Sequence, residues 1–391
     1  MQHRPQGRLL LTGVTGFLGG AIAASLLSSP RWPDVLLLVR AQNPDAARAR
    51  FAEIMDRYEV SAALQRRLSA DQILCGDICH AQQFSDDRRL RDVTDVINCA
   101  AFASFSGHPQ IVRTNVAGTV EFARVLSSAA RLRRFVQIGT AMCCGIDAPS
   151  AVREDFEAHA DAVHLVPYTA SKLEAERQLR KQLPQLPLVL ARPSIIVGHT
   201  RLGCRPSPSI FWVFKMARAL RQFLCAADSL IDIVPVDYCA QAILRLLDEP
   251  RLAHSTYHVS SGAQRSCSFR EIDHAIASAL SQPATDDYRQ VDYASIEREQ
   301  HRFDEMFGPC IKPLMLRAIR LYGAFASLGM VFDNERLLSE GIPPPPRFSE
   351  YAGLCAVSAQ GTPIAAQMQY DFKGVRTSRP LALTGQPAHL S

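Results

Sequence analysis

Tyr168 and Lys172 stand four residues apart at the head of a stretch, running to about Lys181, whose residue types favour a helix. Residues four apart share one helix face. A phenol near pKa 10 is a poor acid at neutral pH, and an ammonium beside it favours the phenolate and brings proton transfer into the working range. Tyr168 is therefore a candidate proton donor to a carbonyl oxygen gaining negative charge, with Lys172 as its electrostatic tuner. A third group, Thr140, closes the run Phe135-Val136-Gln137-Ile138-Gly139-Thr140. Open α/β sheets bind ligands outside the carboxyl ends of their strands, so a hydroxyl there is placed to hydrogen-bond the same oxyanion. Taken singly, each feature also fits a plainer role: a half-buried tyrosine, a solvated lysine, a strand-end cap.

Such a trio needs a scaffold and a source of electrons, and the N-terminus supplies signs of both. Thr12-Gly13-Val14-Thr15-Gly16-Phe17-Leu18-Gly19 follows an apolar run of strand length, Arg8–Leu11, and precedes an Ala/Leu/Ile-rich helical stretch over 20–28. Strand, glycine turn and helix N-terminus together make a dinucleotide site. Gly13 permits the tight turn, Gly16 lets backbone approach a pyrophosphate, and Gly19 lets helix and strand pack closely. The pyrophosphate then rests on unpaired N–H groups at the positive end of the helix dipole. The second apolar run, Val35–Val39, ends at Arg40 with no acid until Asp45. An acid there would take the ribose hydroxyl of NAD, whereas Arg40 accommodates a 2′-phosphate, so NADP(H) is the expected cofactor. Further strands are predicted over 72–75, 95–99, 134–138 and 187–191. Their alternation with helical stretches predicts a doubly wound parallel α/β sheet of Rossmann type.

In these motifs the chain resembles the extended short-chain dehydrogenases/reductases, and within them the thioester-reductase and fatty-acyl reductase branch. The segment from Thr12 to Gly19 is similar to that branch's T-G-x-T-G-F-L-G, and Val39-Arg40-Ala41 to its L-V-R-A. The resemblance extends to Gly76-Asp77-Ile78, Asn98-Cys99-Ala100-Ala101 (with Asn for the usual His), Asn115-Val116-Ala117-Gly118-Thr119 and Arg192-Pro193-Ser194-Ile195-Ile196-Val197-Gly198. Where the branch often carries Ser-Thr, this chain has Gly139-Thr140, so only Thr140 carries the role. The resemblance implies Thr140, Tyr168 and Lys172 as catalytic residues. It implies a cofactor cradle of Thr12, Gly13, Thr15, Gly16, Phe17, Leu18, Gly19, Arg40, Asp77, Ile78, Ala100, Ala101, Asn115, Tyr168, Lys172, Pro193, Ile195 and Ile196, with no metal. It further implies an acyl thioester substrate, carried by coenzyme A or by an acyl or peptidyl carrier protein, reduced to aldehyde or alcohol. The same catalytic residues would serve a ketone reductase, a hydroxysteroid-type dehydrogenase or a nucleotide-sugar epimerase. A non-catalytic NADPH-binding regulator would have no need of the trio.

Length and composition fit this reading. A chain of 391 residues, 47% hydrophobic, can bury a large core. We assign 1–200 to an NADP-binding domain to which 230–262 returns, 201–229 and 263–376 to a mainly helical substrate-binding region, and 377–391 to a flexible tail. No apolar stretch reaches membrane-spanning length and the first seven residues are polar, so a cytoplasmic protein is expected. The eleven cysteines are scattered rather than paired in ligand spacings, which favours free thiols in a reducing compartment. A net charge of +5 without a basic run gives no case for nucleic acid. Two amphipathic helices are predicted, over 209–226 and 314–332. Their apolar faces, among them Ile210–Phe214, fit either the core or a wall for an acyl chain. Their basic residues, among them Lys215, Arg218 and Arg221, fit either a solvated face or a rim for an acidic carrier or coenzyme A phosphates. The same helices would also permit peripheral membrane contact.

Overall fold

The computed structural model describes residues 7–104, 107–159 and 161–371, so the tail predicted over 377–391 lies outside the described residues. Seven strands form one sheet: β1 (Arg8–Thr12), β2 (Val35–Val39), β3 (Ile73–Cys75), β4 (Val93–Asn98), β5 (Arg134–Ile138), β6 (Leu188–Pro193) and β7 (Thr256–Val259). In space the order is β7-β6-β5-β4-β1-β2-β3. Every neighbouring pair is parallel. The strand order reverses between β1 and β4, and in a doubly wound sheet that reversal opens a crevice at the carboxyl ends.

The strands are buried on both faces, which is why they read as unbroken apolar runs. Leu9 and Leu11 of β1 face one side, where α1 (Phe17–Leu27), α2 (Pro44–Arg57) and, much later, α6 (Val236–Asp248) supply Ile22, Leu26, Phe51, Ile243 and Leu247. Leu10 faces the other, with Phe122 and Leu126 of α3 (Thr119–Ala129) and Leu179 of α4 (Pro167–Gln182). Each such leucine contributes about 2 kcal/mol by leaving water.

A second core has no sheet of that kind. It gathers the aromatic side chains of α5 (Phe211–Leu220), α8 (Lys312–Ser327) and α9 (Phe348–Ser358), with α7 (Phe269–Leu280) packed along α9. Trp212 meets Tyr322 edge-on at 5.1 Å, and Phe348 lies 5.4 Å from Phe214. Both predicted amphipathic helices form, and both stop short. The first ends at Leu220 because Arg221 turns left-handed (φ 56°) and Gln222–Phe223 then pair with Arg289–Gln290. The second ends at Ser327, after which Val331–Phe332 pair with Ala151–Val152.

Candidate active site at the strand carboxyl ends

The turn after β1 is fixed by packing as much as by backbone freedom. Gly13 has φ +70°, and a Cβ there would stand 2.7 Å from the carbonyl carbon of Cys99. A Cβ on Gly19 would lie 2.2 Å from the Gly13 carbonyl oxygen, so α1 can approach the turn only with glycine at that position. Gly16 caps α1 without a side-chain hydrogen bond, which leaves the first-turn N–H groups facing outward. A turn packed too tightly for side chains at Gly13 and Gly19, ahead of a helix N-terminus with no side-chain cap, fits a dinucleotide pyrophosphate. Tyr58 donates its hydroxyl proton to the Phe17 carbonyl, tying α2 to the same turn. At the far end of the crevice Arg40 is exposed and lies 3.7 Å from Asp77, whose carboxylate caps the turn that begins at Ile78 by accepting from Cys79 N–H at 2.9 Å.

A continuous chain of hydrogen bonds links this turn to the predicted catalytic lysine. Ala100 N–H donates to the Thr12 hydroxyl (3.0 Å), which donates to Asn98 Oδ1 (2.6 Å). Asn98 Nδ2 donates to Gln137 Oε1 (2.8 Å), and Gln137 Nε2 to the Ile138 carbonyl (3.2 Å). That carbonyl also accepts from Lys172 Nζ at 2.8 Å. Asn98 and Gln137 are both buried; Asn98 was expected only as the first residue of a family-like motif, and Gln137 had no expected role. The signal for them was available: polar side chains at the carboxyl ends of otherwise apolar strands must find partners. Asn115, in a π-helical stretch (Arg113–Gly118), accepts from Phe102 N–H at 2.7 Å and donates to Ser171 Oγ at 3.0 Å. It thereby fastens the loop carrying Ala100 and Ala101 to α4, the helix that bears Tyr168 and Lys172.

Burial governs the titration of this site. It pushes the Tyr168 phenol up to about 12 and brings Lys172 down to about 8, while Cys99, Glu176 and Cys143 act on Lys172 in the opposite sense. Lys172 Nζ lies 5.8 Å from the Tyr168 ring centre. The phenol is thus governed here by desolvation, and the predicted lowering by Lys172 does not enter. Thr140 caps the following turn, Ala141–Cys144, its hydroxyl accepting from Met142 N–H at 3.3 Å. α4 packs against that turn, so Thr140, Tyr168 and Lys172 border one region. Pro193 ends β6, and Ile195–Ile196 continue it as a short parallel pair with Ile233–Val234. Ser209 hooks the start of the helical region onto this segment by donating to the Ile196 carbonyl at 2.8 Å.

The basic rim considered for α5 does not form. Lys215 Nζ donates to the Ala359 and Thr362 carbonyls (3.2 and 3.0 Å), Arg218 pairs with buried Asp273, and Arg221 pairs with Asp287. Phe211, Trp212 and Phe214 lie inside the aromatic core rather than lining an open wall. Instead, the late segment Met330–Asn334 backs the Thr140 turn. Met330 and Phe332 pack with Ala141, Cys144 and Val152. Two buried acidic side chains hold this stretch and the turn after it: Asp232 accepts from Phe332 N–H (3.0 Å) and Glu154 from Arg336 N–H (2.6 Å).

Residues 11–243 of this chain match the male sterility protein family. The chain belongs to that family. Its NAD(P)-binding domain is of the extended short-chain dehydrogenase/reductase type, that of an oxidoreductase. It is similar to FrzA, a nonribosomal peptide synthetase of Cladobotryum sp, with 27% identity over 273 residues, 65% of this chain and 26% of that protein. The chain therefore spans about a quarter of that relative's length. Among solved structures it is similar to the terminal R domain of the myxalamid PKS-NRPS biosynthetic pathway, with TM-score 0.74 and 20% identity over 93% of this chain and 94% of that one. A thiolation-reductase di-domain from an archaeal nonribosomal peptide synthetase gives TM-score 0.66 and 20% identity over 94% and 76%. At those identities the two structures show the fold. Among the described residues no helix is long and apolar enough to cross a membrane.

Proposed function

We propose that this reductase takes hydride from NADPH and delivers it to the carbonyl carbon of an acyl thioester, held on a carrier protein or on coenzyme A. The observation that carries this reading is the hydrogen-bonded chain from Thr12 through Asn98 and Gln137 to Lys172, which ties the start of the glycine turn to the lysine expected to tune Tyr168. Gly13, Gly16 and Gly19 would receive the pyrophosphate, Arg40 the 2′-phosphate, and Asp77 and Ile78 the adenine side. Ala100, Ala101, Asn115, Pro193, Ile195 and Ile196 would enclose the nicotinamide half. When bound, the reduced nicotinamide supplies a hydride.

Thr140 and Tyr168 would donate hydrogen bonds to the carbonyl oxygen as it gains charge. Lys172 would orient the cofactor ribose and hold its positive charge beside the phenol as the proton leaves. The adduct then expels the thiol, giving an aldehyde, and a second round would give the alcohol. The names of the relatives, a peptide synthetase, a terminal R domain and a thiolation-reductase di-domain, support a carrier-bound thioester. The test is NADPH consumption with carrier-bound and coenzyme A thioesters against a panel of ketones. Turnover of thioesters is expected, with Tyr168→Phe about 10²-fold slower or worse in kcat. Tight NADPH binding with turnover of neither class would overturn the reading in favour of a regulator.

A further inference from the structure

Beneath the Thr140 turn lies a pair of opposite charges that no step above uses. Arg192, at the end of β6, and Glu176, on α4, have side chains only 9% and 3% exposed. Arg192 Nε stands 3.2 and 3.1 Å from the two carboxylate oxygens of Glu176, and its Nη2 stands 2.6 Å from Oε2. Geometry of this quality is what a buried ion pair needs to offset its desolvation. The pair fills the space next to Gly139: a Cβ there would lie 2.4 Å from Glu176 Oε1 and 3.3 Å from Arg192 Cγ. Gly139 N–H is itself held by the Ala191 carbonyl at 2.8 Å, one residue before Arg192. The residue preceding Thr140 is thus glycine because a carboxylate occupies the position its side chain would take. Glu176 also sits one helical turn beyond Lys172 on the same buried face of α4, four residues away.

We propose that Glu176, clamped by Arg192, is a positioning residue of this site: it seats the Gly139-Thr140 turn and lays one negative charge along the buried face of α4 that carries Lys172. The proposal rests on the catalytic reading given above. Lys172 faces Cys99 from the loop after β4, Cys143 from the turn after β5, the Ile138 carbonyl from β5, and Tyr168 and Glu176 on its own helix. Burial keeps both thiols neutral, so Glu176 is the one carboxylate among these groups. The ion pair in turn faces Cys143, Cys144 and His258; burial lowers His258, which is therefore neutral at working pH. Glu176, one turn along the same buried face, favours the charged form of Lys172.

The experiment is the pH profile of kcat/KM for wild type, Glu176→Gln, Glu176→Asp and Tyr168→Phe, with NADPH affinity measured alongside. In Glu176→Gln the basic limb should move to lower pH by about one unit, an about tenfold loss above the limb that is recovered on acidification. Glu176→Asp keeps the charge, so its limb should stay in place even where kcat falls. A purely structural role would lower activity by the same factor at every pH and leave the limb unmoved, which would overturn the proposal. If Glu176→Gln leaves an unpaired buried cation and does not fold, the double variant Glu176→Gln/Arg192→Gln removes both charges; because Glu176 acts on Lys172 more strongly than Arg192 does, the limb should still move down, by less than one unit, and an unmoved limb would overturn the proposal. Tyr168→Phe separates the two levels. Full activity in that variant removes the catalytic reading and this proposal together, whereas an inactive Tyr168→Phe beside an unshifted Glu176→Gln removes this proposal alone.

Discussion

The two cores of this molecule are built on different terms. Around the sheet, packing is aliphatic and layered, and Thr12, Asn98, Gln137 and Lys172 share one hydrogen-bonded network at the strand carboxyl ends, with the Arg192–Glu176 pair beside it. Around α5, α8 and α9 the packing is aromatic, and the charged residues are matched singly, each with its own carbonyl or carboxylate. A network transmits a displacement of one member to the rest, whereas isolated pairs do not. Function should therefore be fragile in the first region and robust in the second, although both supply stability.

The largest effect should come from Gly13→Ala. Its Cβ would meet Cys99 and Ala100 backbone that cannot yield, at a φ that favours glycine. NADPH affinity should fall by about 10²-fold or more by fluorescence titration, and near-normal affinity would break the contrast at its strongest point. Phe348→Ala is the matching blow to the aromatic core, where Phe348 is 1% exposed and touches Phe211, Phe214 and Tyr351. It should cost about 3–5 kcal/mol in chemical denaturation while NADPH affinity in the folded protein changes less than about twofold.

A smaller effect lies where the two regions meet. Burial pushes the Glu154 carboxyl up to about 7, against hydrogen bonds from His258 and Arg336 N–H that favour the charged form. The folded chain then holds this proton more tightly than the unfolded chain does. The stability it confers is therefore full below the ordinary carboxylate range and declines as pH rises to about 7. Glu154→Gln should remove that decline, on the order of 2–3 kcal/mol, read as a smaller difference in melting temperature between pH 5 and pH 8 than in wild type. His258, held neutral by burial, contributes an opposite loss on the acid side that the variant should retain. Smaller still, Arg40→Ala should raise KM for NADPH about tenfold with little change for NADH, as expected for one lost charged contact. Equal changes for both coenzymes would remove Arg40 from the 2′-phosphate site.

The sheet was legible because its signals are local. Val35–Val39 must be strand wherever it packs, and the residues from Thr12 to Gly19 carry their turn within eight positions. Six strands lie within two residues of their predicted places, while β7 is defined by pairing with β6 from far along the chain. The ends of α5 and α8 were misread for the same reason: Gln222–Phe223 and Val331–Phe332 continue an apolar pattern but are drawn into pairing by distant residues. Tyr168, Lys172 and Thr140 announced themselves by type and spacing. Asn98 and Arg192 stood out only as members of family-like motifs, and Gln137 and Glu176 not at all, because a buried polar side chain shows its purpose only once its partner is known.

The late arrival of β7 and α6 bears on how the protein is made. A ribosome releases the glycine turn, Thr140, Tyr168 and Lys172 well before residues 236–259 emerge, and until then the outer edge of β6 has unpaired backbone and one sheet face lacks Ile243 and Leu247. An open edge beside uncovered leucines is a template for wrong partners. Cutting the gene after residue 200 would deliver every group of the proposed chemistry on a polypeptide prone to clump. A smaller version would have to splice 230–262 back in rather than simply stop early.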